Sequence, residues 1–408
     1  MSGHSAAHGG ATAIVGSATV VAREGDDRRR TALELHVEAA RRAVADAGIS
    51  RSQIGAVLTT RAPRSYDVRQ FNMRVLNELK VAPSYTSEIT AHGAGALSML
   101  QIASMIVLSG TVDYVLCTSG NCDKLWIDTV KTNATIEADP QFEAPYGPST
   151  PSLYAQVAQR YMHESGASVE QFARAAVESR RWAVHHPDAA MAHKGEITVD
   201  DVLSSRLIAS PLHLLDCAPW YPGGNSSAMV VTRSERAESH RDDPVYLLGW
   251  GQSNTHEWLT DRLGLDGIAP AESGPNLTRT GAIAAARQAF AMAGLAPGDL
   301  DLAQTSAPFS FLVPLMLEQI GFCPEGEGGR FVGGGGVDFD GGFPFNTSGG
   351  YLSYGQSGQG LYLLQECIDQ VRGRARGRPV PGARRALVHG HGGPLACHSI
   401  LIVGSERG

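Results

Sequence analysis

The stretch Ala39-Ala-Arg-Arg-Ala-Val-Ala-Asp-Ala-Gly-Ile49 occurs twice in this chain. It returns as Ala285-Ala-Arg-Gln-Ala-Phe-Ala-Met-Ala-Gly-Leu295, at a constant offset of 246 and with seven of eleven positions identical. Alanine-rich helices sometimes match by chance. The register continues beyond the glycine, however, where Ile54 falls on Leu300. The continued register favours an internal duplication and predicts two similar halves.

Each half has the pattern of strands that alternate with helices. An apolar strand over 11–21 precedes a helix that starts at the capping box Thr31-Ala-Leu-Glu34 and ends near Gly48. Residues 85–119 then follow as strand, glycine turn, apolar helix and strand, and residues 341–404 repeat that order. This alternation predicts an α/β fold with right-handed crossovers and a mostly parallel sheet. The glycine-rich turns of the two halves should meet.

The region between the two halves differs in composition. Residues 120–215 are polar and aromatic, with helical segments such as 168–184, and we interpret them as an inserted cap or loop domain. The predicted units are an N-terminal half over 11–240, which includes this insertion at about 120–215, and a C-terminal half over 244–404.

Composition and charge exclude several classes of protein. The chain has 408 residues, 43% of them hydrophobic, and a net charge of -7 without a basic block, which argues against nucleic acid as a partner. The most apolar stretch, Leu97 to Leu108, is too short to span a bilayer, so we predict no membrane insertion. Residues 1–12 lack the pattern of a signal peptide, which indicates a cytoplasmic protein.

The cysteines are scattered and have no paired CxxC spacing. This pattern favours free thiols over a disulfide framework or a zinc ribbon. The six positions are Cys117, Cys122, Cys217, Cys323, Cys367 and Cys397.

A second glycine-rich stretch has the features of a ligand site. Phe345-Asn-Thr-Ser-Gly-Gly-Tyr-Leu-Ser-Tyr-Gly-Gln-Ser-Gly-Gln-Gly360 directly precedes an apolar helical pattern. Such a turn presents free N–H groups and the positive end of a helix dipole, which hold developing negative charge. The alternative interpretation is a tight connection with no ligand.

Several local motifs resemble those of the thiolase-like lipid-transfer proteins, a branch related to the thiolase half of sterol carrier protein X. They are 321–329, 346–350 with Leu352-Ser353, 370–373 and Tyr154-Ala-Gln-Val-Ala-Gln-Arg-Tyr161. The resemblance covers about 11–404. It implies the thiolase fold, in which two duplicated α/β halves form five layers, α-β-α-β-α, with an inserted loop domain.

The resemblance also implies chemistry on acyl-CoA thioesters, but the usual catalytic cysteines are missing. The nucleophile position matches His92, or Ala91 if the register slips by one. The late Cys-x-Gly turn becomes His389-Gly390-His391. The Gly-His-Pro turn becomes Gly355-Gln356-Ser357, and the His-Asp loop becomes Ser306-Ala307. The ordinary thiolytic mechanism therefore cannot operate, because histidine is a poor carrier of an acyl group.

The resulting candidate catalytic residues are His92, Gln356, His389, Tyr354, Tyr351 and Ser306. A neutral histidine at a helix N-terminus suits a base, and a glutamine amide suits an oxyanion donor that transfers no proton. The alternatives are a histidine that only fills space and tyrosine rings that only pack. Residues 389 and 391 share a strand face, but no third ligand is apparent, so we predict a hydrogen-bonding pair and no metal.

For coenzyme A, the inserted region offers Arg180, Arg181 and Trp182, which supply phosphate charge and a stacking surface. Gly349 and Gly350 would let backbone approach the ligand. A solvated Arg-Arg face is the alternative. We expect no tightly bound cofactor, with coenzyme A present as part of the substrate. The resemblance further implies a homodimer and a possible OB-fold zinc-ribbon partner protein in a hetero-oligomer.

Together these features predict an enzyme that cleaves or forms a carbon–carbon bond without a cysteine nucleophile, by aldol or retro-aldol chemistry. Lysine is scarce and absent from the glycine-rich turns, which disfavours a Schiff-base aldolase. Two alternatives stay open. One is an acyltransferase that works in a complex, and the other is a non-catalytic subunit that binds acyl-CoA or serves as a scaffold.

Overall fold

The computed structural model describes residues 9–22, 30–61, 69–122, 138–255 and 277–407. The strands in these ranges are β1 (Thr12–Val21), β2 (Ile54–Thr60), β3 (Tyr85–Ile89), β4 (Tyr114–Asn121), β5 (Leu207–Ala209), β6 (Leu212–His213), β7 (Asn225–Arg233), β8 (Val245–Asn254), β9 (Leu302–Thr305), β10 (Arg385–Gly392) and β11 (Cys397–Gly404).

The α-helices in the same ranges are α1 (Ala32–Asp46), α2 (Phe71–Leu79), α3 (Gly95–Leu108), α4 (Thr150–Ser165), α5 (Val169–Val184), α6 (Val199–Ser204), α7 (Ser234–Glu238), α8 (Ala282–Ala293), α9 (Leu312–Ile320), α10 (Gly328–Gly333), α11 (Gly350–Ser353) and α12 (Leu361–Val371). No helix in the described ranges is both long and apolar enough to cross a bilayer.

The start of α1 confirms the predicted capping box. The Thr31 hydroxyl accepts from the Glu34 N–H at 3.2 Å, and the Glu34 carboxylate accepts from the Thr31 N–H at 2.8 Å. Gly48 follows the helix with φ +66°, and Gly294 ends α8 with φ +65°. Both copies of the repeated sequence are therefore helical, and both helices end at a glycine with a positive φ.

The sheet shows the duplication in its strand order. The first half runs β3-β2-β4-β7-β1, and the second runs β9-β10-β11-β8, with Phe345 bridged to Ala303 in the place that β3 takes in the first half. Corresponding neighbours have the same direction in both halves. A short antiparallel pairing, Thr12–Ile14 of β1 with 245–247 of β8, joins the halves into one sheet of nine described strands.

The prediction of a mostly parallel sheet is wrong. Among the described strands only β2–β3, β2–β4 and β9–β10 run parallel. The return strand of each half, β7 or β11, enters antiparallel between two neighbours, and the junction of the halves adds another antiparallel pair. The strands β10 and β11, for example, follow one another in the chain and pair antiparallel with no helix between them.

The helices form the remaining layers. The helices α3 and α12 each pack against strands of both halves, so they lie in the centre, whereas α1 covers β1, β4 and β7 and α8 covers β8 and β11 from outside. On β1, Ile14 belongs to the central core while Ala13 and Val15 belong to the outer core. This alternation is the normal consequence of a strand buried on both faces. The layer order is α-β-α-β-α, as expected.

The chain between β4 and β7 carries α4, α5, α6 and the β5–β6 hairpin, and its interpretation as an inserted domain at about 120–215 stays a prediction. The proposed boundary between residues 240 and 244 lies between α7 and β8 and stays a prediction.

Candidate active site

Turns from the two halves meet in the middle of the molecule, at the N-terminal ends of α3 and α12. A Cβ atom added to Gly93 would lie 2.3 Å from the carbonyl oxygen of His391, and one added to Gly95 would lie 2.6 Å from Oε1 of Gln359. A Cβ atom on Gly358 would lie 3.2 Å from the Cα of Gly120. Backbone meets backbone at Gly93 and Gly358, and Gly95 lies against the side chain of Gln359 from the second glycine-rich stretch, so the predicted meeting of the glycine-rich turns is confirmed.

His92 lies in the turn between β3 and α3, three residues ahead of the first residue of that helix. It has φ +44°, which is unusual for a residue other than glycine, and its side chain is exposed. Its carbonyl oxygen accepts from the Gly95 N–H at 3.2 Å, and a Cβ atom on Gly392 would lie 2.4 Å from the Cβ of His92. The imidazole is therefore accessible at the junction of the halves.

Gln356 is fixed through its backbone. Its N–H donates to the carbonyl of Pro219 at 2.7 Å, and its carbonyl accepts from the N–H of Tyr221 at 3.0 Å. The side chain is half-buried. Residues 219–221, which precede β7, thus hold the backbone of the turn that carries Gln356. The side-chain amide of Gln356 has N–H groups that can donate to an oxyanion.

Ser306 is fully buried and contacts His391. The Ser306 hydroxyl accepts from the His391 backbone N–H at 2.8 Å and lies 3.2 Å from Nδ1 of the ring. At the other end of the ring, Nε2 lies 3.0 Å from the Tyr154 hydroxyl, which donates to the Gly393 carbonyl at 2.8 Å. A carbonyl only accepts, so the neutral ring donates from Nε2 to Tyr154 and accepts from Ser306 at Nδ1.

His389 belongs to a second buried chain of hydrogen bonds. The Thr305 hydroxyl lies 2.7 Å from Nδ1 of His389, whose Nε2 lies 3.0 Å from Nδ1 of His398. Nε2 of His398 lies 3.2 Å from the Leu395 carbonyl. Because the Leu395 carbonyl only accepts, the neutral ring of His398 donates to it from Nε2 and accepts at Nδ1 from His389. His389 in turn accepts at Nδ1 from the Thr305 hydroxyl. His389 is 0% exposed and does not reach a surface.

Burial keeps these imidazoles neutral. It lowers the pKa of His389 well below its usual range, and it lowers the pKa of His391 to about 4. The rings of residues 389, 391 and 398 stack nearly parallel, with centroids 5.3 to 6.0 Å apart. In the described parts of the chain, no group of three His, Cys, Asp or Glu residues is placed to hold a metal ion. Neutral hydrogen-bonded rings are the arrangement that this geometry supports.

The sequence reasoning missed Tyr154, Thr305 and His398. Tyr154 begins the motif 154–161, but nothing in that motif marks it as a hydrogen-bond partner of the site. His398 stands directly opposite His391 in the β10–β11 pair, and only the strand register reveals this. The sequence alone therefore does not indicate that His398 lies beside His389 and His391.

Tyr351 and Tyr354 are packed inside the protein. Their side chains are 4% and 3% exposed. Tyr354 stacks on Tyr362 with ring centroids 4.3 Å apart and contacts Tyr221 at 5.4 Å. Burial raises the pKa of both Tyr351 and Tyr354 above the ordinary value. The interpretation as packed rings fits this environment better than a role in proton transfer.

The three residues proposed for coenzyme A separate into two environments. Arg180 is 5% exposed and donates to the Ser353 hydroxyl at 3.1 Å and to the Gly195 carbonyl at 3.3 Å, so it is not a solvated side chain. Trp182 is buried against Phe339 at 4.8 Å. Arg181 alone reaches the surface, where it pairs with Asp340.

Gly349 and Gly350 are required by packing. Their φ angles are +96° and +54°. A Cβ atom on Gly349 would lie 2.5 Å from the Cβ of Ala183 on α5, and one on Gly350 would lie 2.8 Å from the Asn346 side chain. The backbone of these two glycines therefore closely approaches α5 and the side chain of Asn346.

None of the six cysteines occupies the turn ahead of α3, and all are thiols. Burial raises the pKa of Cys217 and Cys323 to about 12, and it also raises the pKa of Cys117, Cys367 and Cys397. Cys122 donates to the Arg30 carbonyl at 2.8 Å. These thiols are poor sources of a thiolate nucleophile.

Comparison with known proteins gives the class. Residues 270–405 match the family model described as "Thiolase C-terminal domain-like". The chain is 32% identical to an acetyl-CoA acetyltransferase of Methanothermobacter thermautotrophicus, over 90% of this chain and 93% of that protein. It is 31% identical to a steroid side-chain-cleaving aldolase of Thermomonospora curvata, over 93% and 94%.

Among solved structures, the chain is similar to the one named "Ltp2-ChsH2(DUF35) aldolase". The TM-score is 0.80 at 28% identity, and the match covers 98% of this chain and 99% of the other. The chain thus belongs to the thiolase superfamily, in the branch of sterol carrier protein thiolases and steroid side-chain aldolases.

Proposed function

We propose that this protein is a thiolase-like enzyme that cleaves or forms a carbon–carbon bond of an acyl-CoA substrate by retro-aldol or aldol chemistry. One observation carries the proposal. An exposed histidine, His92, occupies the turn ahead of α3, while the thiols lie elsewhere and five of the six have a raised pKa. Retro-aldol cleavage needs no covalent intermediate on the enzyme.

The reaction requires two functions from the protein. A base takes the proton of the β-hydroxyl group, the Cα–Cβ bond breaks, and its electron pair passes to the thioester as an enolate. A proton then adds to Cα, which yields a shortened acyl-CoA together with a ketone or aldehyde. Stabilising the enolate oxygen requires hydrogen-bond donors held in place beforehand.

His92 is the proposed base. Of the histidines at this junction, His389 and His391 lie on β10, are buried and have their ring nitrogens engaged, whereas the His92 ring is exposed. Gln356 is the proposed oxyanion donor, because its backbone is clamped at both N–H and C=O. Ser306 and His391 are proposed as positioning residues, because their hydrogen bonds hold the loop that follows β9 against β10.

Coenzyme A is proposed as a substrate component. Arg181 is the surface cation that supports a phosphate contact, with Trp182 and Phe339 beside it. Arg180 instead ties α5 to α11. The name of a Mycobacterium tuberculosis relative, 32% identical, is 17-hydroxy-3-oxo-4-pregnene-20-carboxyl-CoA lyase, which supports a branched β-hydroxyacyl-CoA as the first substrate to test.

A partner protein is part of the proposal. The name of the similar aldolase structure joins two components, Ltp2 and ChsH2, and another relative is the subunit BbsB of a benzoylsuccinyl-CoA thiolase. These names support a hetero-oligomer with a partner protein, and the OB-fold zinc-ribbon character of that partner stays a prediction. A homodimer of this chain within it stays a prediction.

The decisive experiment incubates the protein with branched β-hydroxyacyl-CoAs, with and without a zinc-ribbon protein encoded nearby. Release of a ketone or aldehyde, together with a shortened acyl-CoA, is the expected result. His92→Asn should lose it. If a broad panel gives no carbonyl product in either condition, the aldolase proposal fails.

Acyl transfer is the second candidate, because a relative at 32% identity is named an acetyl-CoA acetyltransferase. It predicts an acyl-enzyme adduct by intact mass spectrometry after incubation with acyl-CoA. The raised pKa values of the thiols favour the aldol route over this one.

A further inference from the structure

A cavity of about 260 Å³ lies where the two halves and the inserted region meet. The first half contributes Ala18, Thr19 and Arg42, and the insertion contributes His186 and Asp188. The second half contributes most of the lining, including Ser348, Tyr362, Gln365, Glu366 and Asp369. None of the mechanism above uses this cavity.

Three oxygen atoms of uncharged side chains in the lining are buried without a hydrogen-bond partner among the described residues. They are the hydroxyls of Ser348 and Tyr362 and Oε1 of Gln365. Ser348 is 1% and Tyr362 3% exposed. The amide nitrogen of Gln365, Nε2, already donates to the Ser17 hydroxyl at 3.1 Å and to the Asp369 carboxylate at 2.8 Å. Buried polar atoms are nearly always paired, so these three call for a ligand.

Two carboxylates in the lining lack an arginine or lysine partner among the described residues. Oε1 of Glu366 accepts from Thr347 at 2.7 Å and from Gln370 at 2.9 Å, and Oε2 lies 3.5 Å from Nε2 of His186. Asp369 accepts only the neutral amide of Gln365 among the contacts described. These two carboxyl groups therefore add further oxygen acceptors to the interior of the cavity, beside the ring of His186.

Each arginine of the lining has a different carboxylate as its ion-pair partner. Arg42 pairs with Glu38, Arg374 with Asp243 at 2.7 Å, and Arg376 with Asp188. Their side chains are 46 to 59% exposed, which places them at the mouth.

We infer that this cavity binds a small monovalent cation, either an alkali-metal ion or the primary ammonium group of a small organic molecule. Hydroxyl, amide and carboxylate oxygens all accept hydrogen bonds from N–H donors, and the same oxygens coordinate hard cations. The volume leaves room for the organic body of an amine or for water around an ion. The inference does not depend on the proposed aldolase activity.

The test is thermal unfolding of the full chain at constant ionic strength. Tetramethylammonium chloride is the baseline salt, since this cation is bulky and has no N–H donor. Potassium, sodium or methylammonium chloride replaces it stepwise. We expect a saturable rise in Tm with at least one small cation. A response to alkali ions indicates an ion site, and a response to methylammonium alone indicates an ammonium site.

Matched variants locate the site. Tyr362→Phe and Ser348→Ala each remove an unpaired hydroxyl, so each should fold and should weaken the apparent affinity for the cation by about tenfold or more. Tyr246→Phe removes a phenol hydroxyl that contacts Glu238 at 3.2 Å outside the cavity, and it should keep the full response. An equal response in all four proteins, or no saturable response in the wild type, overturns the inference and leaves a water-filled cavity.

Discussion

Nε2 of His389 donates to Nδ1 of His398 at 3.0 Å, across the β10–β11 pair. This bond places His389, which matches part of the late cysteine turn of the family, inside a chain that ends on a backbone carbonyl. A ring with both nitrogens engaged and a lowered pKa is unsuited to carry a proton to a substrate. This burial supports our proposal that the base comes from the first half.

His92→Asn should abolish carbon–carbon cleavage while the protein stays folded. Asparagine tolerates the left-handed backbone that His92 adopts at φ +44°, so the turn survives and only the base is removed. We expect kcat to fall at least 100-fold, as for loss of a general base, with the free energy of unfolding changed by less than about 1 kcal/mol. Steady-state kinetics and urea unfolding measure the two quantities.

The matched control is Gln53→Asn at the exposed Ser50 capping turn, far from the site in the chain. It should leave kcat unchanged. Retention of more than a tenth of wild-type kcat by His92→Asn would show that another group is the base.

Alkylation of thiols should leave the enzyme active. Burial raises the pKa of Cys217 and Cys323 to about 12, so little thiolate exists near pH 7.5. After treatment with iodoacetamide, intact mass spectrometry should show slow modification, and most of the cleavage activity should remain. A cysteine-dependent thiolase treated in parallel is the control and should be inactivated. Loss of activity in step with one adduct per chain would instead indicate a catalytic cysteine.

The sequence allowed prediction of the two-half architecture because the duplicated helix keeps its register and its C-terminal glycine in both copies. The prediction of a mostly parallel sheet was wrong because β7 and β11 have the sequence pattern of any buried apolar strand. No local feature of the sequence indicates that they pair antiparallel. Among the site residues, His92 and Gln356 lie at the junction where the sequence placed them. The burial of His389, Tyr351, Tyr354 and Arg180 depends on packing between distant segments, which no short motif encodes.

Gly349→Ala should destabilise the protein strongly. The residue has φ +96°, and a Cβ atom would lie 2.5 Å from the Cβ of Ala183 and 3.1 Å from the Ser179 carbonyl. Backbone strain and steric overlap together should lower the free energy of unfolding by about 3 kcal/mol or more. Gly373→Ala is the matched control, with φ +65° and open space around the added atom. Its cost should be only about 1 kcal/mol. Equal costs in urea unfolding would contradict this account of Gly349.

Stability should fall with acid partly because of His391. Its folded pKa is about 4 against 6.5 when unfolded, so between these values the unfolded state binds more protons. The contribution of His391 to the free energy of unfolding is therefore fully present above pH 6.5. As the pH falls toward 4, about 3 kcal/mol of it is lost. His36 acts with the same sign, because burial lowers its pKa to about 4 as well.

Asp369 acts in the opposite direction. Burial raises its pKa to about 7, so its folded form binds the extra proton, and its contribution to stability is lost as pH rises from about 4 to 7. We therefore compare variants in urea unfolding at pH 7.5 and pH 4.5. His391→Gln should lose less stability on acidification than the wild type, by about 2 kcal/mol, whereas Asp369→Asn should lose more. If both variants follow the wild-type pH dependence, the buried groups do not titrate as their environments indicate.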